Sequence, residues 1–506
     1  MRPINRIVIV GGGTSGWMTA AYLQAKFKRT EIVLIDKSET ETVGVGEATV
    51  LSFKQFMMDC GFKPEDWLGK INATFKGGIL FEDWQKEGQN LWHPFAFPEF
   101  GFFETNLINL WTKNKDLEYL THACTLYNPG VTENKVDPDN ISTYAYHIDC
   151  GKLVTYIKEK ISNKITFVKS GVENVCRNSK GGVDNIALED GQVIESDLYI
   201  DCTGWRRLLA PETETVDCTG RLFCDTAVAG HVQYNDIDCE MRPYTTCSAV
   251  EHGWIWKIPN QSRIGTGLVF NRSITDIDEA KEFFVDYWDD RVDRDTLQVL
   301  NWTPYYHKNS WVDNVCCIGL SSGFIEPLES TGIALICAGA IEIAKVLKGN
   351  CYNDLYVELF NMNMTNFYEN CIDFVSMHYS HNKRETGKFW EYVNDTFKMS
   401  QTQKFYEHET LNNPATTPVG GDFVFRGENW AMFLCQLFNH DLIEPKILDG
   451  VDQKTSRSIV KDFYKNEMEK HNHSILHSKW IQKCLDKISA GESLGINYYS
   501  GDGTCG

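Results

Sequence analysis

The segment Phe324-Ile325-Glu326-Pro327-Leu328-Glu329-Ser330-Thr331-Gly332-Ile333 brings a carboxylate, two hydroxyls and a glycine to a point where a helix should begin. An apolar strand, Asn314 to Ile318, is expected to lead in, and an apolar helix, Ile333 to Leu347, to lead out. The amides of Ser330, Thr331 and Gly332 would then sit at a helix start. Their N–H groups lack intrahelical acceptors there, and the macrodipole favours an anion. Glu329 adds a carboxylate beside that anion site, which suits proton removal or the stabilisation of a developing positive charge.

A second chemical element lies far upstream. Gly11-x-Gly13-x-x-Gly16 follows the apolar strand Arg6 to Val10 and opens a helix over Trp17 to Phe27; the strand Glu31 to Ile35 then ends at Asp36. This is the dinucleotide fingerprint in its required context. Gly11 permits the tight turn, Gly13 lets the backbone approach a pyrophosphate, Gly16 lets helix pack on strand, and Asp36 offers an acceptor to a ribose hydroxyl. Val43-Gly44-Val45-Gly46-Glu47-Ala48-Thr49 would be an ordinary surface turn on its own. Close behind a dinucleotide unit, it is placed to arch over a cofactor ring.

Other residues read more plainly. Lys76 lies in Ala73-Thr74-Phe75-Lys76-Gly77-Gly78-Ile79-Leu80; by composition it is a snorkelling surface lysine, whereas burial would lower its pKa and free its amine. Trp254-Ile255-Trp256-Lys257-Ile258-Pro259 puts two indoles on one face of a strand, as core or cavity wall. Of His471, His473 and His477, only the last two share a helical face, and no carboxylate motif surrounds them. They read as a solvated helix rather than a metal site.

The elements that must position these groups fit a chain of 506 residues, which implies several modules merged on one scaffold. A net charge of −20 without a basic block argues against nucleic acid and against anionic membranes. Seventeen scattered cysteines and a chain that enters a strand at Ile4 point to reduced thiols and a cytoplasmic location. No apolar run is expected to reach the roughly 20 residues of a membrane span. A helix is expected near 52–60 and another over 153–162, with strands near 165–168, 184–188, 192–194 and 197–200. Alternating strands from Ala227 to Phe270 fit a sheet roofing a cavity, and the chain reads as mainly helical from about Ala340 to Ser489. Segments 1–90 and 145–350 are assigned to the cofactor scaffold and the anion site. Segments 91–144 and 351–489 are assigned to a substrate region, and 490–506 to a flexible tail.

Together these motifs resemble the flavin-dependent tryptophan halogenases. The residues that carry the resemblance are Gly11 to Met18, Gly44 to Thr49, Phe75-Lys76, Gly253 to Pro259 and Gly323 to Ile333, in the family's order; His378-Tyr379, Arg384 and Phe389-Trp390 extend it to about residue 390. The resemblance implies a mixed α/β fold: a Rossmann-like, hydroxylase-type FAD scaffold with a mostly helical C-terminal substrate region and an active site between the two. It implies that reduced FAD from a separate reductase, O2 and a halide (chloride, bromide or iodide) generate hypohalous acid. Thr331 and Gly332 hold the halide. Lys76 receives the oxidant and presents it to an aromatic substrate. Glu329 stabilises the cationic intermediate or takes its proton, and Ser330 assists. Lys76 and Glu329 should therefore share one cavity. The implied flavin contacts are Gly11, Gly12, Gly13, Ser15, Gly16, Ser38, Val45, Gly46, Glu47, Ala48, Leu320 and Ile333.

On the substrate side, Trp92-His93-Pro94-Phe95 matches the family's indole-stacking stretch, making His93 and Phe95 contacts, with Trp254 and Trp256 as a wall between compartments. Family members that take free tryptophan hold its amino-acid part with a C-terminal aromatic and acidic cluster, and Asp422 to Trp430 is only loosely similar to it. Tryptophan, another indole, a phenol or a heteroarene all fit. Homo-oligomerisation stays open. The alternatives are a flavin hydroxylase on the same scaffold, which would need no halide, and a non-catalytic flavin-binding protein.

Overall fold

The computed structural model describes residues 2–37, 46–95, 99–102, 105–116, 130–138, 144–349, 351–412, 424–438 and 441–495. The chain forms two compact units. The first comprises Met1–Asn72, Ile148–Leu222 and Trp302–Ile372; the second comprises Ala73–His147, Phe223–Asn301 and Asp373–Gly506. Lys76 and the strands between 223 and 301, grouped from sequence with the cofactor segments, thus belong to the second unit.

The first unit is built on a six-stranded sheet. Its strand order is Thr166–Val168, Glu31–Ile35, Arg6–Val10, Leu198–Asp201, Val315–Cys317 and Trp311–Val312. The first five are parallel and the last is antiparallel. The near-continuous apolar runs RIVIV and EIVLI follow from burial on both faces of a parallel sheet. In register, Ile9 lies between Leu34 and Ile200, so the C-terminal strand ends at Val10, Ile35 and Asp201 come level. Ligands of open α/β sheets bind beyond such ends. The helix Thr14–Lys26 starts three residues before the expected Trp17, and the expected 153–162 helix runs over Cys150–Ile161, capped by the Asp149 carboxylate on the Lys152 N–H. Among the strands not read from sequence is Val172–Arg177, which pairs with Val183–Leu188. Its alternation is weakened by exposed Glu173 and Asn174.

Asp201 closes the central strand. Its buried carboxylate accepts from the Thr203 N–H and hydroxyl at 2.8 and 2.7 Å, from the Ser321 hydroxyl at 2.9 Å, and from the Leu209 and Ala210 N–H groups at 2.7 and 2.8 Å. Five donors around one buried anion satisfy it without a counter-charge.

The second unit holds a seven-stranded sheet in the order Gln298–Asn301, Thr226–Val232, Ile264–Phe270, Gly253–Pro259, Thr245–Val250, Gly78–Glu82 and Leu91–Pro94. Neighbours are antiparallel except Thr245–Val250 with Gly78–Glu82. Its middle strands are buried along nearly their whole length. The helix Ile277–Tyr287 packs Ala280 and Phe284 against Val228, Ile255 and Leu268. A short strand, Thr74–Lys76, pairs antiparallel with Ala145–Ile148. Helices Lys388–Thr396, Gln401–Asn412, Gly427–Leu437, Gln453–His471 and His477–Ser489 supply the expected helical C-terminal region.

Two expectations change here. The stretch Leu328–Gly349 is long and apolar enough by composition to cross a membrane, with mean hydropathy 1.7, although 72% of its most apolar window is buried in protein. It is a buried core helix, in which Glu342 and Lys345 pair with each other at 2.7 Å. The second concerns His477, which is completely buried rather than solvated. Every cysteine among the described residues is a free thiol.

Replacing Asp201 by Ala strands several buried donors at once. We expect a loss of about 3 kcal/mol or more in unfolding free energy, read from the shift in urea midpoint.

Candidate functional site

In the first unit, the chain leaves the strand Arg6–Val10 through Gly11 at φ +107°. A side chain at Gly11 would collide with the Cys202 carbonyl, and one at Gly16 with the Gly11 carbonyl, so strand, loop and helix are in direct backbone contact. Gly13 differs: a Cβ there would meet nothing within 4 Å. Gly13 is the N-cap of a 13-residue helix and provides no side-chain cap, so a helix N-terminus begins beside open space. That opening fits a pyrophosphate. Gly12 lies against the Asp36 carboxylate, and Ser15 lies in the helix's first turn beside Gly319.

The second glycine loop is described from Gly46, at φ +82°; Ser38 and Val45 lie outside the described residues. Glu47 does not present its carboxylate to a ring. It accepts a 2.6 Å hydrogen bond from the Cys150 thiol, and burial raises it above the usual carboxylate range. Any contact from Glu47 to a cofactor must therefore come from its backbone; Ala48 beside it is buried.

The segment expected to hold an anion has the anticipated helix, over Thr331–Val346. Its entry is unusual. Glu329 and Ser330 both adopt left-handed backbone angles, φ 65° and 62°, a costly conformation for two successive non-glycine residues that points to a functional constraint. Ser330 is the N-cap and makes no side-chain capping bond, so the amides of Thr331 and Gly332 start an apolar helix without a built-in acceptor. A Cβ at Gly332 would meet open space. Glu329 is 1% exposed, and after burial itself its carboxylate pushes the Cys371 thiol up. Leu320 sits in the turn Gly319–Ser321, its carbonyl accepting from the Tyr305 hydroxyl at 2.7 Å. Ile333 is buried on the helix.

The second unit gathers the substrate-side residues. Lys76 has no exposed surface, against its plain reading as a surface lysine. Its Nζ lies 4.8 Å from the centre of the Phe95 ring, which in turn lies 6.2 Å from the His93 ring at 79°. The His93 ring is 5.2 Å from Phe374, and Phe374 stacks on Phe425 at 4.2 Å and meets Trp430 edge-on at 5.1 Å. Trp254 and Trp256 are buried with ring centres 6.4 Å apart, and Trp84 meets Trp254 at 6.0 Å. Their indole N–H groups find no acceptor among the described residues. A buried cation among ring faces and edges suits a flat, electron-rich guest.

Three features were not read from sequence. Asn429 donates through Nδ2 to His93 Nε2 at 3.0 Å, while its Oδ1 accepts from the Arg426 N–H at 2.7 Å. The amide is thus oriented, and the His93 proton is assigned to Nδ1. Asn429 lies at the third position of a helix, a capping pattern that was available in the sequence. The other two are His147 and His477, buried around the Lys76 strand. Burial, then the charges of Lys76 and His477, hold His147 well below 6.5; burial lowers His477 to about 4. Among the described residues no group of three or more His, Cys, Asp or Glu could hold a metal. Lys76, Phe95 and His93 come together in the second unit, while Glu329, Ser330, Thr331, Gly332 and the glycine loop belong to the first.

Two measurements follow from this geometry. Gly13→Ala should leave thermal stability unchanged but weaken dinucleotide binding by about tenfold or more, because the added methyl points into the pyrophosphate space; Gly16→Ala should lower stability instead. Binding titration alongside melting separates the two. For the histidines the sign is fixed by their depressed pKa. An unfolded histidine takes up its proton near pH 6.5, so the stability present above that pH is lost as pH falls below it, for His477 down to about 4. The slope is at most about 1.4 kcal/mol per pH unit for each histidine. Melting curves of the parent should therefore fall faster with acid than those of a His147→Gln, His477→Gln double variant.

Comparison with known proteins agrees with this architecture. The family described as "Tryptophan halogenase" matches residues 6–439. The chain is 29% identical over 459 residues to the tryptophan 6-halogenase ThaL of Streptomyces albogriseolus, covering 85% of this chain and 86% of that one. It is 30% identical over 421 residues to the 7-chloro-L-tryptophan 6-halogenase KtzR of Kutzneria sp. (strain 744), covering 76% and 81%. Among solved structures, BrvH, a flavin-dependent halogenase from Brevundimonas sp. BAL3, superposes with a TM-score of 0.87 at 25% identity, covering 96% of this chain and all of that one. Its fold, its motif order and these relatives make the chain a member of the tryptophan halogenase family, and hence a flavin-dependent halogenase of the oxidoreductase class.

Proposed function

We propose that this enzyme halogenates an indole or a similarly electron-rich arene, with Lys76 as the residue that presents the halogen. The observation that carries this reading is a lysine with no exposed surface whose ammonium lies over the ring of Phe95. The printed names of the relatives ThaL and KtzR specify tryptophan or chlorotryptophan. The aromatic surroundings of His93 favour the indole part of such substrates over their charged amino-acid part.

The glycine loop, with Gly11, Gly12, Gly13, Ser15, Gly16 and Asp36, would hold FAD, and Gly46, Glu47, Ala48, Leu320 and Ile333 would border its ring. Bound reduced FAD, supplied by a separate reductase, activates O2 so that halide is oxidised to hypohalous acid. Thr331 and Gly332 would bind the halide through backbone N–H groups, which donate to an anion without competing as acceptors. A Lys76 ammonium would donate a hydrogen bond to the oxygen of hypohalous acid and polarise the O–X bond; the neutral amine would instead attack the halogen, breaking the O–X bond and releasing water to leave an N–X bond. Both roles require a dry site, since water and exposed side chains consume free oxidant. Enclosure of Lys76 in protein meets that need. His93 and Phe95 would pack on the arene faces, and Trp254 and Trp256 would wall the compartment. Glu329 would stabilise the cationic ring intermediate and accept its proton, with Ser330 assisting.

With FAD, a reductase and a halide, Lys76→Ala should reduce arene halogenation on the order of 1,000-fold, while a small-molecule trap still detects halide-dependent oxidant. Glu329→Gln should lower product formation by about 100-fold with the trap signal intact. Oxygen insertion into the arene without halide, or full activity of Lys76→Ala, would sink the reading.

A further inference from the structure

Lys76 sits on a strand of only three residues, and a lysine side chain has four rotatable bonds. Presentation of an electrophile to one ring carbon demands accuracy well below an ångström. Something must therefore immobilise the strand itself.

The hydrogen bonds around it show what does. The Thr74 hydroxyl donates to the Pro259 carbonyl at 2.5 Å, so its proton is used. The His147 Nδ1 that faces the same hydroxyl at 3.1 Å must then carry the proton and donate. In the neutral ring His147 Nε2 is then the acceptor, 3.0 Å from the Thr245 hydroxyl. On the next residue, the Phe75 N–H donates to His477 Nε2 at 3.0 Å, which assigns the His477 proton to Nδ1, 3.0 Å from the Met241 carbonyl. Past Lys76, the Gly77 N–H donates to the Pro243 carbonyl at 2.7 Å. Lys76 is thus bracketed on both sides by bonds to the strand Gly253–Pro259, to the 241–243 segment, and to the first residue of the helix His477–Ser489. Both imidazoles are completely buried. Burial disfavours the charged form of each ring, and the contacts of both fit a neutral imidazole protonated at Nδ1. A proton on His477 Nε2 would set two donors, ring N–H and Phe75 N–H, against each other. A proton on either ring would also add a second cation close to Lys76.

We propose that His147 and His477 are positioning residues for halogen transfer, neutral imidazoles that lock the Lys76 strand through opposite tautomeric ends. This inference rests on the reading of Lys76 as the presenting residue. Neither histidine contacts the oxidant. They determine where the Lys76 ammonium stands and leave it as the only cation of the three.

The test uses the full-length enzyme with FAD, a reductase, bromide and indole, and reads the ratio of bromoindole formed to total oxidant formed, the latter measured with a thioether trap. His147→Leu and His477→Leu should lower that ratio at least about tenfold while total oxidant stays within about twofold of the parent. His147→Gln and His477→Gln reproduce one donor and one acceptor, and should restore the ratio to within about threefold. If the leucine variants do not fold, Thr245→Val removes only the donor to His147 Nε2 and should lower the ratio by about threefold or more. Leucine variants with a parental ratio, glutamine variants no better than leucine, or an unchanged Thr245→Val would overturn the proposal. Lys76→Ala, run alongside, separates the two failures. If it keeps the parental ratio, the reading of Lys76 itself falls; if it alone loses the ratio, only the role of the histidines does.

Discussion

One buried carboxylate organises the first unit of this enzyme. Asp201 ends the central parallel strand and draws five donors from three separate segments: the turn after the strand, the 209–210 backbone and Ser321. A charge in that place is tolerable only while every donor is present. The requirement ties the strand end to the turn Gly319–Ser321, which in turn leads into the segment carrying Glu329, Ser330, Thr331 and Gly332.

The other half solves a different problem, the burial of a cation. Lys76 is buried beside the Phe95 ring and close to two buried imidazoles. Phe95 offers its ring face to the ammonium, and His147 and His477 are held neutral by burial and by the protons already assigned around them. A lysine in water would lose any bound electrophile to solvent; one in a dry, rigid frame can hand it to a single partner.

Both halves concentrate backbone or polar groups that local folding leaves dissatisfied. Glu329 and Ser330 hold left-handed angles, two indole N–H groups in the Trp254–Trp256 pair lack acceptors among the described residues, and two helices start without side-chain caps. Similar features occur elsewhere among the described residues, as in the left-handed Asn72 and Asp83 and the uncapped helix His477–Ser489; what sets Glu329 and Ser330 apart is that two left-handed residues adjoin one helix start.

Much of this was legible in residue order. The strand–glycine loop–helix–strand–Asp36 unit is local, its period and turn chemistry confined to 31 residues, so its form could be read directly. The helix start at Ser330-Thr331-Gly332 was equally local. Burial was not. Lys76 reads by composition as a surface residue, and His477 as part of a solvated helix, because what encloses each comes from elsewhere: the Phe75 N–H that His477 accepts is 402 positions away. Asn429 finds His93 across 336 positions for the same reason. Sequence alone determined which chemical groups exist and the short-range backbone shapes that expose or aim them, since dihedral preference and hydrophobic period act over a few residues. Only the tertiary structure decided which of those groups lose water and which protons they keep, because desolvation and hydrogen-bond partnership depend on chain segments brought together by folding.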